Sequence, residues 1–208
     1  MGRGGSVTSE GVAQRADDEP EGNTPLDEDE ATALIPGHLT TRDQLNSWEQ
    51  ANITAAVRWL ASRRDVTSPL EIGFLKELHR RMFGGTWTWA GQFRTTERNI
   101  GVAPHAIPEQ LANLLEDTRH WLDHGIYSDD EVAVRLHHRL VSIHPFPNGN
   151  GRHARQVADM LLTSRGARPF SWGSTDLDHS GRARSRYLSA LRQADHGDIG
   201  ALLAFVRT

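Results

Sequence analysis

EVAVRLHHRLVSIHPFPNGNGRHARQVADMLLTSRG, residues 131–166, reads as one helical pattern broken in the middle. Val132, Leu136, Leu140 and Ile143 recur at three- and four-residue spacing, so they share one face. Pro145 ends that run, because proline lacks the N–H a helix needs and its ring clashes with the preceding turn. Val157, Leu161 and Leu162 resume the period in a second helix from about Gly151 to Arg165, which Gly166 closes. Ser128 and Glu131 form a capping box for the first helix, and Asp129 and Asp130 suit its positive end. Between the helices lies HPFPNGNG. Gly149 and Gly151 carry no Cβ and so leave the backbone open to close approach. The helix start offers unpaired N–H groups and a positive dipole end to an anion. Arg152 and Arg155, three apart on one face, add donor forks matched to phosphate oxygens. His144, a side chain that titrates near neutral pH, sits beside them. The stretch predicts a phosphorylated ligand held at a helix start with a proton acceptor next to it.

Outward from this centre the pattern stays helical. TTRDQLNSWEQANITAAVRWLAS predicts a helix from Thr40 or Thr41 to Ser62, with Leu45, Trp48, Asn52, Ala56 and Trp59 near helical spacing. Leu70–Phe83 follows, with Leu75, Leu78 and Met82 on one face. GGTWTWAGQFRTTERNIGVAPH breaks the period and suggests a small β-hairpin. Pro108 suits the first position of a helix to about His124, with Leu111, Leu115 and Leu122 inward. Two more helices, near 181–195 and 198–207, make the chain all-α apart from the hairpin.

The 208 residues allow one domain with a real core. Without cysteine there is no disulfide, thiolate metal site or cysteine nucleophile, which fits a reducing cytosol. No apolar run is long enough to span a bilayer, and the start lacks a secretory h-region. A cytoplasmic protein with no membrane role is the expectation. The net charge of −4 is uneven. Residues 1–40 carry nine acids and two arginines, and their glycine, serine and aspartate content reads as a disordered acidic segment over 1–39. The domain, residues 40–208, is only mildly basic, so direct nucleic-acid binding is not expected.

HPFPNGNGRHAR resembles the Fic signature, His-x-Phe-x-Asp/Glu-Gly-Asn-Gly-Arg-x-x-Arg. It matches at His144, Phe146, Gly149, Asn150, Gly151, Arg152 and Arg155, and departs at Asn148, where the family has an acid. GQFRTTERNIG (91–101) resembles the segment leading into the family's flap, and RYLSALRQADHGDIGALLAFV (186–206) its closing helices. Within the family the chain looks similar to the group called mobile mystery protein B, found on bacterial mobile elements. The fold implied is the Fic fold, a helical bundle around a central helix–loop–helix with a small β-hairpin flap.

The resemblance implies a protein adenylyltransferase that moves AMP from ATP to a Ser, Thr or Tyr hydroxyl. Another Fic-type transfer, of phosphate or a different nucleotidyl group, is one alternative. A weakly catalytic nucleotide- or partner-binding protein is the other. By the same resemblance His144 deprotonates the hydroxyl and Phe146 anchors the loop. Asn148 stands where Mg²⁺ (or Mn²⁺) binds. Gly149, Asn150 and Gly151 hold the α-phosphate, and Arg152 and Arg155 the outer ones. Arg98, Asn99, Ile100 and Gly101 belong to the flap, where nucleotide and target protein meet, the target pairing as an added strand. Tyr187 falls where the family lines its adenine pocket, and plain core packing suits it as well.

Glu49 has two readings. Its flanks, Leu45 and Gln50, miss the family's inhibitory motif, which favours an ordinary exposed helix glutamate. The other reading is an inhibitory glutamate paired with the second signature arginine, Arg155. If Glu49 does not restrain the site, a separate antitoxin-like partner is the alternative. His137, His138, His144 and His153 lie in no zinc-binding pattern. His79, His120 and His124 read as solvated helix residues, and Trp87 and Trp89 as core or hairpin packing.

Overall fold

Ser128 opens the central helix as expected, its Oγ accepting the Glu131 N–H at 3.3 Å. The computed structural model describes residues 32–39, 42–61, 69–174, 177 and 181–208. Residues 1–31 of the expected acidic segment 1–39, the expected cap at Thr40 or Thr41 and the helix end at Ser62 lie outside them. The helices are α1 (Arg42–Ala61), α2 (Ile72–Phe83), α3 (Ile107–Asp123), α4 (Asp129–Ile143), α5 (Asn150–Ser164), α6 (Arg182–Asp195) and α7 (Gly200–Val206). A 3₁₀ turn at Pro104–Ala106 leads into α3.

α4 and α5 pack against each other at the centre. α3 and α7 lie on α4, α2 lies on α5, α1 on α2, and α6 on α7. Val132, Leu136, Leu140, Ile143, Val157, Leu161 and Leu162 are all buried between them. This is the face that the spacing in residues 131–166 predicts.

Two expectations fail here. The segment 84–103 forms turns and bends rather than a hairpin, and its only strand-like contact among the described residues is an isolated bridge from Trp87 to Leu34. Side chains meet its backbone groups where a ladder would otherwise do so. Arg94 donates to the Thr96 and Val102 carbonyls, and the Gly91 N–H donates to His79 Nδ1.

The buried stripe of α1 also differs, consisting of Leu45, Glu49, Ile53, Ala56 and Leu60. Trp48 is exposed and Asn52 half-buried. Both still hold α1 in place by donating to the 84–87 turn, Trp48 Nε1 to the Gly85 carbonyl at 3.1 Å and Asn52 Nδ2 to Thr86 Oγ1 at 3.0 Å.

Candidate functional site

The loop between α4 and α5 is fixed by its own polar groups. His144 caps α4 in the left-handed region, φ 52° and ψ 61°, where a non-glycine residue costs about 1–3 kcal/mol. Phe146 is fully buried. Asn150 Oδ1 accepts the Phe146 N–H at 2.9 Å and its Nδ2 donates to the Phe146 carbonyl at 2.8 Å. Asn150 is therefore spent on closing the loop. Gly149, the residue before α5, has φ 76° and sits so close to α2 that a Cβ would lie 2.5 Å from the Phe83 ring.

His79 is the residue the sequence reading missed. It is fully buried, not solvated, and its ring stacks on Phe146 with centroids 3.8 Å apart. Nδ1 accepts the Gly91 N–H and Nε2 donates to the Asn148 carbonyl, both at 3.0 Å. One neutral imidazole thus joins α2, the signature loop and the start of the 91–102 loop. Burial keeps it neutral, holding its pKa well below the ordinary 6.5, with the nearby His153 adding to the effect. An HRR triplet on an amphipathic helix gives little hint of this, but His79 does fall on the stripe of Leu75, Leu78 and Met82. His120 and His124 are exposed, as expected.

The first backbone bond of α5 runs from the His153 N–H to the Gly149 carbonyl at 2.9 Å. The N–H groups of Asn150, Gly151 and Arg152 therefore have no partner inside the helix. A Cβ added at Gly151 would have no neighbour within 4 Å, so the space above this helix start is open. That space belongs to a cleft of about 640 Å³, a size suited to a small organic ligand. His144, Asn148, Gly149, Asn150, Gly151, Arg152 and Arg155 line it, together with Asn99, Ile100 and Gly101 of the 91–102 loop. Glu49 lines it from α1 and Arg184, Tyr187, Arg192 and Asp195 from α6. All the expected site residues except Arg98 are on its wall, and Arg98 bears on it through its effect on His144.

His144 is 5% exposed. Burial pushes its pKa down to about 4, and the positive charges of Arg94 and Arg98 push the same way against the Val141 carbonyl. The imidazole is therefore neutral at pH 7 and able to accept a proton. Tyr187 is buried and its hydroxyl lies 3.0 Å from His137 Nε2, so it packs in the core while also bordering the cleft. No group of three His, Cys, Asp or Glu able to hold a metal occurs among the described residues. His137, His138 and His153 each serve elsewhere: His137 on Tyr187, His138 on Asp195 at 2.7 Å and His153 on the Leu75 carbonyl at 2.9 Å.

Glu49 is not an exposed helix glutamate, being only 5% exposed. Its Oε1 accepts Trp87 Nε1–H at 2.6 Å, and Trp87 is buried and stacked on Trp89. Its Oε2 pairs with Arg152 Nη1 at 2.8 Å. The pairing anticipated for an inhibitory glutamate was with Arg155, and the pair observed is with Arg152.

A model described as the Fic/DOC family matches residues 69–162. The "Protein adenylyltransferase Fic" of Nematostella vectensis is 34% identical over 134 residues, covering 62% of this chain and 30% of that protein. The "Protein adenylyltransferase fic-1" of Caenorhabditis briggsae is 31% identical over 145 residues, 66% of this chain and 26% of its own. The chain thus spans 26–30% of the length of these relatives. Among solved structures, Fic-1 from Caenorhabditis elegans has a TM-score of 0.62 at 28% identity, covering 85% of this chain and 51% of that one. BepC from Bartonella tribocorum, solved with bound AMPPNP, has a TM-score of 0.65 at 17% identity, covering 87% and 97%. This last likeness speaks for the fold alone.

Proposed function

Residues 69–162 place the chain in the Fic/DOC family, and from that premise we propose that it transfers AMP from ATP to a hydroxyl of a target protein. The observation that carries this reading is the meeting of a neutral His144 with the open start of α5 and its two arginines in one cleft. The triphosphate lies across the amides of Asn150, Gly151 and Arg152, with Arg152 and Arg155 on its outer phosphates. The target segment lies along Arg98–Gly101, where Ile100 is 44% exposed. Its hydroxyl oxygen bonds to the α-phosphorus, His144 takes the hydroxyl proton, and the bond from the α-phosphorus to the bridging oxygen breaks to release pyrophosphate.

The residues present do not build a Mg²⁺ site by themselves. Mg²⁺ favours anionic oxygen, whereas Asn148 is uncharged and its Oδ1 accepts the Gly149 N–H at 2.6 Å. Glu49 supplies restraint from within the chain, because an Arg152 fork turned to a carboxylate is withheld from phosphate. A separate inhibitory partner is not required on this reading.

The test is mass spectrometry of the wild type and Glu49→Gly after incubation with labelled ATP, GTP, CTP and UTP. Addition of one AMP that is lost in His144→Ala supports adenylyl transfer. A gain of phosphate or of another nucleotidyl group assigns a different transfer by the same fold. No gain in either protein would make this a binding protein, a reading that the uncharged Asn148 favours.

A further inference from the structure

Arg94 lies outside the signature, yet its guanidinium donates to two carbonyls at the end of α4. It is 3% exposed although it carries a full charge. Its Nε donates to the His144 carbonyl at 2.6 Å. Its Nη2 donates to the Val102 carbonyl and, at 3.4 Å, to that of Ile143. Its Nη1 donates to the Thr96 carbonyl at 2.9 Å. One guanidinium thus ties four carbonyls, two at the end of α4 and two at the ends of the 96–102 loop. Backbone bonds lie on either side of it, from the Arg94 N–H to the Pro145 carbonyl at 3.0 Å and from the Val102 N–H to the Ile143 carbonyl at 3.3 Å.

The packing depends on this arrangement. Gly101 has φ 107°, and a Cβ there would lie 2.6 Å from Arg94 Nη2 and 2.8 Å from His144 Cβ. The loop passes over His144 and Arg94 with no room for a side chain. His144 meanwhile holds a left-handed backbone, uncommon for any residue that carries a Cβ. A rigid fork on its carbonyl opposes relaxation out of that conformation. Lysine, a point charge on a flexible stem, offers no such fork.

We propose that Arg94 is a positioning residue that locks the His144 turn and the 96–102 loop into one geometry, so that proton acceptor and target-binding loop are set together. Its charge has a second effect. After burial it is the largest influence holding the His144 pKa at about 4, so Arg94 also keeps the imidazole free to accept a proton. Besides Arg98 of the same loop, the charged or titratable groups lining the His144 cleft are Glu49 of α1, His138 of α4, Arg152 and Arg155 of α5, and Arg184, Tyr187, Arg192 and Asp195 of α6. The kinetic arm below rests on the transfer reading, whereas the titration arm does not.

The experiment compares wild type, Arg94→Lys and Arg94→Met. The His144 pKa is followed by ¹H–¹³C NMR of the imidazole, alongside melting temperature and the kcat and KM for ATP in automodification. Arg94→Met should raise the His144 pKa from about 4 toward 6.5. It should also lower kcat by up to about 100-fold, the scale of a slightly misplaced reacting group. The KM for ATP should stay within about twofold, since the nucleotide sits on α5. Arg94→Lys should keep the low pKa, because the charge remains, yet still lose kcat, because the fork is gone. An unchanged His144 pKa in Arg94→Met, or kcat and KM falling together in step with melting temperature, overturns the proposal. If Arg94→Met does not fold, Arg94→Lys decides, and wild-type kcat there refutes the positioning role. If wild type transfers nothing, the titration alone decides, and the failure belongs to the transfer reading.

Discussion

Glu49 Oε2 lies 2.8 Å from Arg152 Nη1, joining α1 to the first turn of α5 across the cleft wall. The carboxylate is committed on both sides, since Trp87 Nε1 donates to its other oxygen at 2.6 Å. Trp48 and Asn52 brace the same stretch of α1 against the 84–87 turn. Arg152, one of the two arginines proposed for the outer phosphates, therefore already has an anion.

Replacing that anion with a neutral group should favour nucleotide. Glu49→Gln keeps an oxygen for Trp87 and removes the charge from Arg152. Breaking a buried pair usually costs about 3–5 kcal/mol, and Arg152, 19% exposed in its side chain, can relieve part of that by turning into the cleft. Expected is a lower melting temperature without ligand, a larger rise on adding ATP than in wild type, and faster automodification. Thermal melts with and without ATP check this. Equal ATP-induced rises in the two proteins remove Glu49 from the control of nucleotide.

Gly149 and Gly151 should separate folding from binding. Gly149→Ala demands φ 76° of an alanine and drives its Cβ toward Phe83, so it should destabilise the protein by about 1–3 kcal/mol or more. Gly151→Ala meets nothing in the protein and gains about 0.5–1 kcal/mol of helix propensity. Its methyl would stand where phosphate approaches the amides. Expected is an unchanged or higher melting temperature with at least about tenfold weaker ATP binding by calorimetry. Wild-type affinity in Gly151→Ala would move the phosphate away from the start of α5.

Much of this arrangement is legible in the sequence, and the failures share a cause. The central helices, the Ser128 cap and the Pro145 stop follow from periodicity and local chemistry, whereas the burial of Phe146 follows from the family resemblance alone. The α1 stripe was misread because its buried face includes a glutamate. Leu45, Ile53, Ala56 and Leu60 keep helical spacing with a gap at 49, and a reading that seeks apolar residues drifts to Trp48 and Asn52. His79 was misread likewise, as a polar type on a buried stripe. Both are polar side chains whose partners lie far along the chain, Trp87 and Arg152 for Glu49, and Asn148 and Gly91 for His79. Local pattern carries no trace of such pairs. The hairpin failed for a related reason, since a distant turn and the Arg94 side chain take the bonds that a ladder would use.

Four buried histidines should make the fold sensitive to acid. His137 is held at about 3, and His144 and His153 at about 4, with His79 well below 6.5. Burial is the leading cause in each. All four fall below the unfolded value of 6.5, so the unfolded chain takes up protons first as pH drops. The stability this represents is complete above pH 6.5 and is lost as pH falls toward 4. Each histidine contributes a slope of about 1.4 kcal/mol per pH unit within that window. Urea unfolding should show little change between pH 8 and 7 and a steep loss between 6 and 4, with uptake of three to four protons at pH 5. Uptake of fewer than two would contradict the burial of this set.

Asn148 lacks the negative charge of the acid in the family signature, and that difference predicts how nucleotide binding depends on metal. Its Oδ1 accepts the Gly149 N–H at 2.6 Å and its carbonyl accepts from His79 at 3.0 Å, so the residue shapes the loop at both ends. Aspartate can keep the Gly149 bond through either carboxylate oxygen. It also places a negative charge next to the positive start of α5, worth about 0.3–1 kcal/mol to the fold. Toward the ligand the effect depends on the ion. Without a divalent cation the carboxylate repels phosphate, and with Mg²⁺ it supplies the anionic oxygen that the amide lacks. Wild type should therefore bind ATP with nearly the same affinity in EDTA and in Mg²⁺. Asn148→Asp should bind more weakly than wild type in EDTA and gain at least about tenfold, or 1.4 kcal/mol, when Mg²⁺ is added. Its automodification should also reach half-maximal rate at lower Mg²⁺. Calorimetric titrations of both proteins under the two conditions measure the affinities, and melting temperature shows whether the loop survives the change. If the two proteins respond to Mg²⁺ alike while melting alike, position 148 acts on the loop rather than on the metal, and the charge that neutralises the triphosphate must come from Arg152 and Arg155.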